Sequence, residues 1–222
     1  MTLYLAGGGT PHQERLVWRE AFAGVRRVVY WPFALPEPVI VEAGAWLASA
    51  VIQLEIEVDE IDIWPDLDGR SPGGLAQTDL LFVGGGRTSK LASHVREHGF
   101  AEAVRKYVAD GGRYYGGSAG AVLAGDSIAI AALADSDPDA AGQVGLGLLP
   151  GLSVLPHSDA FAPDAVGNWA AELAQTVVAI PEASGLAIDD GTCRVIGPDP
   201  INLVRQGEAK EYAEGTIVPF GG

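Results

Sequence analysis

Short apolar runs alternate along this chain with longer segments whose apolar residues recur at helical spacing, and several of the runs end abruptly in glycine. Residues 3–6 form the first run and stop at Gly7-Gly8-Gly9. Residues 11–23 follow, opening on Pro11, with Leu16, Val17 and Phe22 spaced for one face of a helix. The pattern then predicts a strand over 25–31, a helix over 36–50 and a strand over 54–58. A polar stretch rich in Asp, Pro and Gly, 59–74, reads as a loop with a short strand in it. Asp79-Leu80-Leu81-Phe82-Val83 is the clearest buried strand and runs into Gly84-Gly85-Gly86. Helices over 89–98 and 100–110 come next, then a short strand at 113–115.

Beyond that point the pattern loosens. Residues 126–147 are rich in Ala, Asp and Gly and read as one long loop, a length more common in functional segments than in plain connections. A strand at 152–155, a helix over 164–175 and a strand at 177–180 resume the alternation. From Leu186 on, short apolar runs broken by Gly, Pro and Asp read as antiparallel strands covering one edge. Strands and helices alternating in this way predict an α/β fold, a doubly wound and mostly parallel sheet sandwiched by helices. The 222 residues suffice for one such domain over 1–222 and are few for two.

Composition narrows the function classes. Hydrophobic residues make up 48% and charged residues 19%, which marks a packed protein rather than a disordered one. A net charge of −15 repels phosphate, so neither nucleic acid nor an anionic membrane is an expected partner. The single cysteine, Cys193, leaves no internal disulfide and no cysteine cluster for a metal. The N-terminus reaches glycine without a basic or long apolar segment, so no signal peptide is read there, and no run has the length of a membrane span. The expected location is cytoplasmic.

The candidate chemistry centres on Gly116-Gly117-Ser118-Ala119-Gly120. A serine between glycines, after a short strand and before a run of small residues, fits the G-x-S-x-G nucleophile elbow. The turn is so sharp that the residues two before and two after the serine crowd each other, and both must lack side chains. A glycine-rich loop with an incidental serine has the same composition, so the rest of the chain must decide. A serine hydroxyl needs a base, usually an imidazole held by a carboxylate. Of the four histidines, His12 lies at a polar helix start. His94 and His98 share a helix face but lack the acid of a zincin motif, and read as surface residues. His157 follows an apolar strand and a proline, at a strand end where α/β sites collect.

If the chain order is Ser, Asp, His, the acid lies between Ser118 and His157. Asp126 falls too soon after the elbow. Asp135 follows a small apolar run that anchors it and is preferred, with Asp137 second and Asp139 in the same cluster. An oxyanion hole needs backbone N–H groups, for which Ala119 and either Gly85 or Gly86 are candidates. The second glycine run lacks the remaining glycine of a dinucleotide fingerprint and the Lys-Ser pair of a P-loop.

Four features in order resemble the S51 serine peptidases, the family of dipeptidase E and cyanophycinase. They are Phe82-Val83-Gly84-Gly85-Gly86-Arg87-Thr88, the elbow through Ala121, Gly145-Leu146-Gly147-Leu148-Leu149 and Pro156-His157. The resemblance implies a sandwich like that of class I glutamine amidotransferases, which carry cysteine where Ser118 stands. It implies Ser118 as nucleophile, His157 as base, Asp135 as acid and an oxyanion site at Gly85 or Gly86 with Ala119. It further implies a small peptide substrate and no metal or organic cofactor, and it leaves a homodimer open. The family cleaves beside aspartyl residues, in Asp-X dipeptides or at β-linked aspartate. Two departures stand out. Arg87 replaces an asparagine common in the family and is a candidate to meet a substrate carboxylate, as is Arg113. No Lys or Arg lies between His157 and Arg194, so no local basic partner for an aspartyl substrate follows the histidine. A cyanophycinase-like or isoaspartyl-type hydrolase and a silent, ligand-binding member are the competing readings.

Overall fold

A computed structural model describes residues 1–219. Its main sheet has seven strands in the order β3-β2-β4-β5-β1-β8-β9. These are β1 (Thr2–Ala6), β2 (Arg27–Trp31), β3 (Glu60–Ile63), β4 (Leu80–Val83), β5 (Arg113–Gly117), β8 (Gly185–Asp189) and β9 (Thr192–Ile196). The first five in that order run parallel, and β8 and β9 join antiparallel at the β1 side. A second sheet has the order β11-β10-β7-β6, formed by β6 (Leu152–Leu155), β7 (Thr176–Ala179), β10 (Ile201–Arg205) and β11 (Glu208–Tyr212).

Both faces of the central strands are buried, which is why they read as unbroken apolar runs. Successive side chains point to opposite faces and so enter separate cores. Val28, Tyr30, Leu80, Phe82 and Tyr115 pack with α1 (Arg15–Ala21) and α2 (Glu37–Gln53) on one face. Val29, Trp31, Leu81, Val83 and Tyr114 pack on the other. That second core also takes in α3 (Thr88–Glu97), α4 (Phe100–Ala109), α5 (Ala119–Ala124) and the smaller sheet. The remaining helices are α6 (Ile130–Ala134) and α7 (Pro163–Glu172).

Three expectations are corrected. The apolar residues at 54–58 are not a strand. Leu54 N–H closes onto the Ala50 carbonyl and Ile56 N–H onto Val51, so they finish α2 and fill the core beneath it. The edge strand β3 follows instead, with Glu60 exposed and Asp62 outward, a polar alternation that suits a sheet edge. Within 126–147, Ile130 and Ala131 bury one face of α6, so the segment is not a bare loop. Finally, β6 and β7 pair with each other rather than extending the main sheet, because β8 already occupies the free side of β1.

Candidate active site

Five glycine-bearing or proline-bearing strand ends, those of β1, β4, β5, β6 and β7, meet at one point above the sheet. Strand β5 lies between β4 and β1, so Ser118, at its carboxyl end, sits between Gly84–Gly86 and Gly7–Gly9. The carboxyl ends of β6 and β7 approach the same point through the smaller sheet. Carboxyl ends of parallel strands are where open α/β sheets place their sites.

The elbow is as tight as its sequence demands. A Cβ on Gly116 would stand 2.5 Å from the Gly120 carbonyl oxygen, and a Cβ on Gly120 would stand 2.3 Å from that of Val83. Ser118 itself takes φ 51°, ψ −115°, a conformation that L-residues rarely adopt. Its N–H reaches the Ala6 carbonyl at 3.4 Å, and its own carbonyl accepts the N–H groups of Ala121 and Val122.

His157 faces it. The imidazole Nε2 is 3.0 Å from Ser118 Oγ, across a sequence separation of 39. Its backbone, also left-handed at φ 50°, is anchored by an N–H bond to the Gly7 carbonyl. The other ring nitrogen, Nδ1, lies 3.0 Å from Glu182 Oε1. Glu182 is fixed in turn: Gln13 Nε2 donates to its Oε2 at 3.3 Å, and its backbone N–H donates to Asp159 Oδ1. The three side chains form a continuous hydrogen-bonded chain, each half-buried.

The acid is therefore a correction. Asp135, predicted for this place, makes no hydrogen bond to His157 among the described residues; Glu182 holds that position. Asp135 ends α6, where its backbone N–H closes onto Ala131. Loss of hydration raises its pKa, and the nearby His157 pulls it back only in part. Asp137 is committed elsewhere: it accepts Ser89 N–H at 2.9 Å, Ser89 Oγ at 2.8 Å and Arg87 Nε at 3.1 Å. Burial works to raise its pKa, but these bonds prevail and hold it below the usual range. Asp126 accepts the Gly151 N–H.

Gly85 and Gly86 also separate. A Cβ on Gly85 would lie 3.1 Å from Ser118 Cβ and 3.4 Å from Oγ, so its backbone borders the hydroxyl. Gly86, at φ 132°, packs against Ala34, whose carbonyl carbon and oxygen a Cβ would meet at 2.4 Å. The N–H groups of Gly85 and Ala119 donate to no acceptor among the described residues. Arg87 pairs with Asp137 and Asp139 instead of projecting into the site. Arg113 lies at the start of β5, the opposite end from Ser118, and donates to the carbonyls of Ala21 and Ala23.

Two features escaped the sequence reading. A Cβ on Gly8 would stand 2.5 Å from His157 Nε2 and 2.8 Å from Ser118 Cβ, so the first glycine run is part of the site. Behind it lies Glu14, only 2% exposed. Its Oε1 accepts Gly8 N–H at 2.6 Å and Gly9 N–H at 3.0 Å, while its Oε2 accepts Trp18 Nε1 at 3.0 Å and the Tyr115 hydroxyl. Burial raises the pKa of this carboxyl against the pull of those four donors. The remaining histidines lie apart: His94 accepts the Leu67 N–H, and His98 Nε2 pairs with Asp68.

Known proteins similar to this chain are peptidases. The model for Peptidase family S51 matches residues 3–203. Peptidase E of Citrobacter koseri is 28% identical over 200 residues, covering 85% of this chain and 84% of that one. Peptidase E of Shigella sonnei is 26% identical over the same span. Among solved structures, a peptidase from an acI-B1 Actinobacterium superposes with a TM-score of 0.75, covering 98% of this chain and 96% of that one. At 17% identity, that last likeness speaks for the fold alone.

Proposed function

Because the chain belongs to peptidase family S51 and is thus a serine-type peptidase, we propose that it hydrolyses short peptides through Ser118, His157 and Glu182. The observation that carries this reading is the unbroken series of contacts from Ser118 Oγ through the His157 ring to Glu182. With Nδ1 protonated and donating to Glu182, Nε2 is free to accept the Ser118 proton as Oγ attacks the peptide carbonyl carbon. Glu182 orients the ring and stabilises the imidazolium that forms; it acts through His157 and is a positioning residue.

The carbonyl π electrons move onto oxygen, and the N–H groups of Ala119 and Gly85 receive that charge. Collapse of the tetrahedral species breaks the C–N bond, and the leaving amine takes the proton from His157 Nε2. Water then attacks the acyl-serine, giving its proton to the same nitrogen, and the second collapse restores the hydroxyl. A short peptide suits a cavity of about 340 Å³ beside Ser118, near the lower end of the sizes that hold small ligands. A cytoplasmic setting completes the reading.

A fluorophosphonate probe tests it directly. Wild-type protein should be labelled at Ser118, and His157→Ala should react far more slowly while keeping its fold. Unlabelled wild-type protein, with no release of amino acids from a dipeptide panel, would favour a silent ligand-binding role.

A further inference from the structure

The cavity beside Ser118 is walled mainly by apolar and aromatic side chains and glycine backbone. Strand and loop backbone, Gly84, Gly85 and Gly117, forms its inner end with Ser118. Tyr30 and Phe82 rise from the sheet, and Leu35, Val39 and Trp46 close the outer side from the turn before α2, its first turn and its middle. Trp46 is 44% exposed and Val39 46%, so this apolar surface faces the opening instead of the core. The rings are ordered by their own contacts: Trp46 stands edge-on to Trp18 at 5.9 Å, and Phe82 edge-on to Tyr30 at 5.2 Å.

The charged groups lining this cavity are carboxylates, Glu14 and Glu42; among the described residues no Lys, Arg or His lines it. Glu14 is saturated by four donors, leaving it no lone pair to offer a ligand cation, and Glu42 is on the exposed side of α2. Arg87, Lys90 and Arg113 do not line it. Arg87 is held by Asp137 and Asp139, Lys90 Nζ donates to the Leu35 carbonyl at 2.8 Å, and Arg113 lies at the other end of β5. A carboxylate entering this cavity would lose water, meet two negative charges and find no positive partner. An apolar or aromatic side chain would lose only unfavourable hydration and gain ring contacts.

We infer that this cavity receives a neutral apolar or aromatic side chain of a residue flanking the scissile bond, and that the enzyme discriminates against aspartyl peptides. This rests on the hydrolase reading above and narrows its substrate class.

The test uses purified full-length protein and dipeptides Xaa-Ala and Ala-Xaa, with Xaa as Phe, Leu, Asp or Lys. Phe or Leu at one of the two positions should exceed Asp in kcat/KM by at least about tenfold. Trp46→Ala should reduce the ratio of kcat/KM for the Phe peptide to that for Ala-Ala about tenfold, a ratio that a uniform loss of activity would not move, and Glu42→Lys should raise the relative rate on Asp. Equal rates on Phe and Asp, a preference for Asp, or a preference for Lys would each overturn the inference. Calorimetric titration of Ser118→Ala protein with the same dipeptides separates the two proposals. Tighter binding of the Phe peptide without wild-type turnover sinks hydrolysis and keeps the pocket assignment; turnover with Asp bound as tightly as Phe does the reverse.

Discussion

Glu182 follows His157 by 25 residues and bonds its Nδ1 at 3.0 Å, so the carboxylate paired with the imidazole comes after it in the chain. The order is serine, histidine, glutamate, and the Asp135 loop lies outside this set of contacts. Glu182→Gln keeps the shape but offers an amide to the Nδ1 proton. Losing the orienting carboxylate of such a triad costs about 10⁴ to 3 × 10⁴ in kcat. Glu182→Gln should fall in that range, with a change in the pH profile because the imidazolium loses its counter-charge. Asp135→Asn should cost less than about tenfold, since its charge acts on His157 only through space. Steady-state kinetics across pH for the two variants decide between them; a larger loss for Asp135→Asn would return the acid to the loop.

Ser118 pays for its exposure in backbone strain. A residue with a Cβ held at φ 51°, ψ −115° carries about 1–3 kcal/mol that glycine would not. Ser118→Gly should therefore unfold at higher denaturant than wild type, by roughly 1 kcal/mol after glycine's greater unfolded-state entropy is subtracted. Ser118→Ala should show no such gain, and both should be inactive. Urea unfolding of the three proteins measures it, and a Gly variant less stable than the Ala variant by glycine's full entropic cost would mean that the elbow holds no strain.

How much of this site could be read from sequence depends on the kind of constraint. The elbow was legible because backbone crowding excludes side chains at Gly116 and Gly120, and that exclusion is visible in the residue types themselves. His157 was legible because Leu155-Pro156-His157 ends an apolar run at a strand's carboxyl end. Ile180-Pro181-Glu182 repeats that pattern after β7, and β6 and β7 pair in parallel with Leu155 opposite Ala179. The signal for Glu182 was thus present, but its meaning depends on a strand pairing that periodicity does not reveal. Glu14 gave no signal at all. A glutamate on a helix facing inward looks like any solvated acid until the donors around it, from Gly8 to Tyr115, are brought together by the fold.

Glu14 ties the first glycine run to the core, and its loss should reach both stability and catalysis. Glu14→Ala strands Gly8 N–H, Gly9 N–H and the Tyr115 hydroxyl proton, while Trp18 Nε1 keeps its 2.8 Å bond to the Tyr115 oxygen. A buried donor left without a partner costs about 1–3 kcal/mol, so the variant should lose at least about 3 kcal/mol even after partial rescue by water. Glu14→Gln should lose less but still weaken turnover, because its amide meets donors where the native oxygen accepts them. Thermal unfolding together with kcat measured well below the melting temperature separates the two effects. A Glu14→Gln enzyme with unchanged kcat would show that the Gly8 backbone keeps its place beside His157 unaided.

Asp137 supplies the pH-dependent part of the fold near the site. Its folded pKa lies below the ordinary 3.8 because Ser89 and Arg87 favour the ionised form over the opposing effect of burial. A depressed carboxyl contributes stability that is complete above the unfolded value and is lost as pH falls through the folded one. Asp137→Asn removes that contribution and should cost about 1.5–3 kcal/mol at pH 7, the range for hydrogen bonds to a buried charged group. Below about pH 3.8 the gap should narrow, since the wild type then gives up what the variant never had. Urea unfolding of the pair at several pH values from 7 down to 3 measures the gap directly, and a constant difference across that range would mean that shape alone, not charge, holds Ser89 and Arg87 in place.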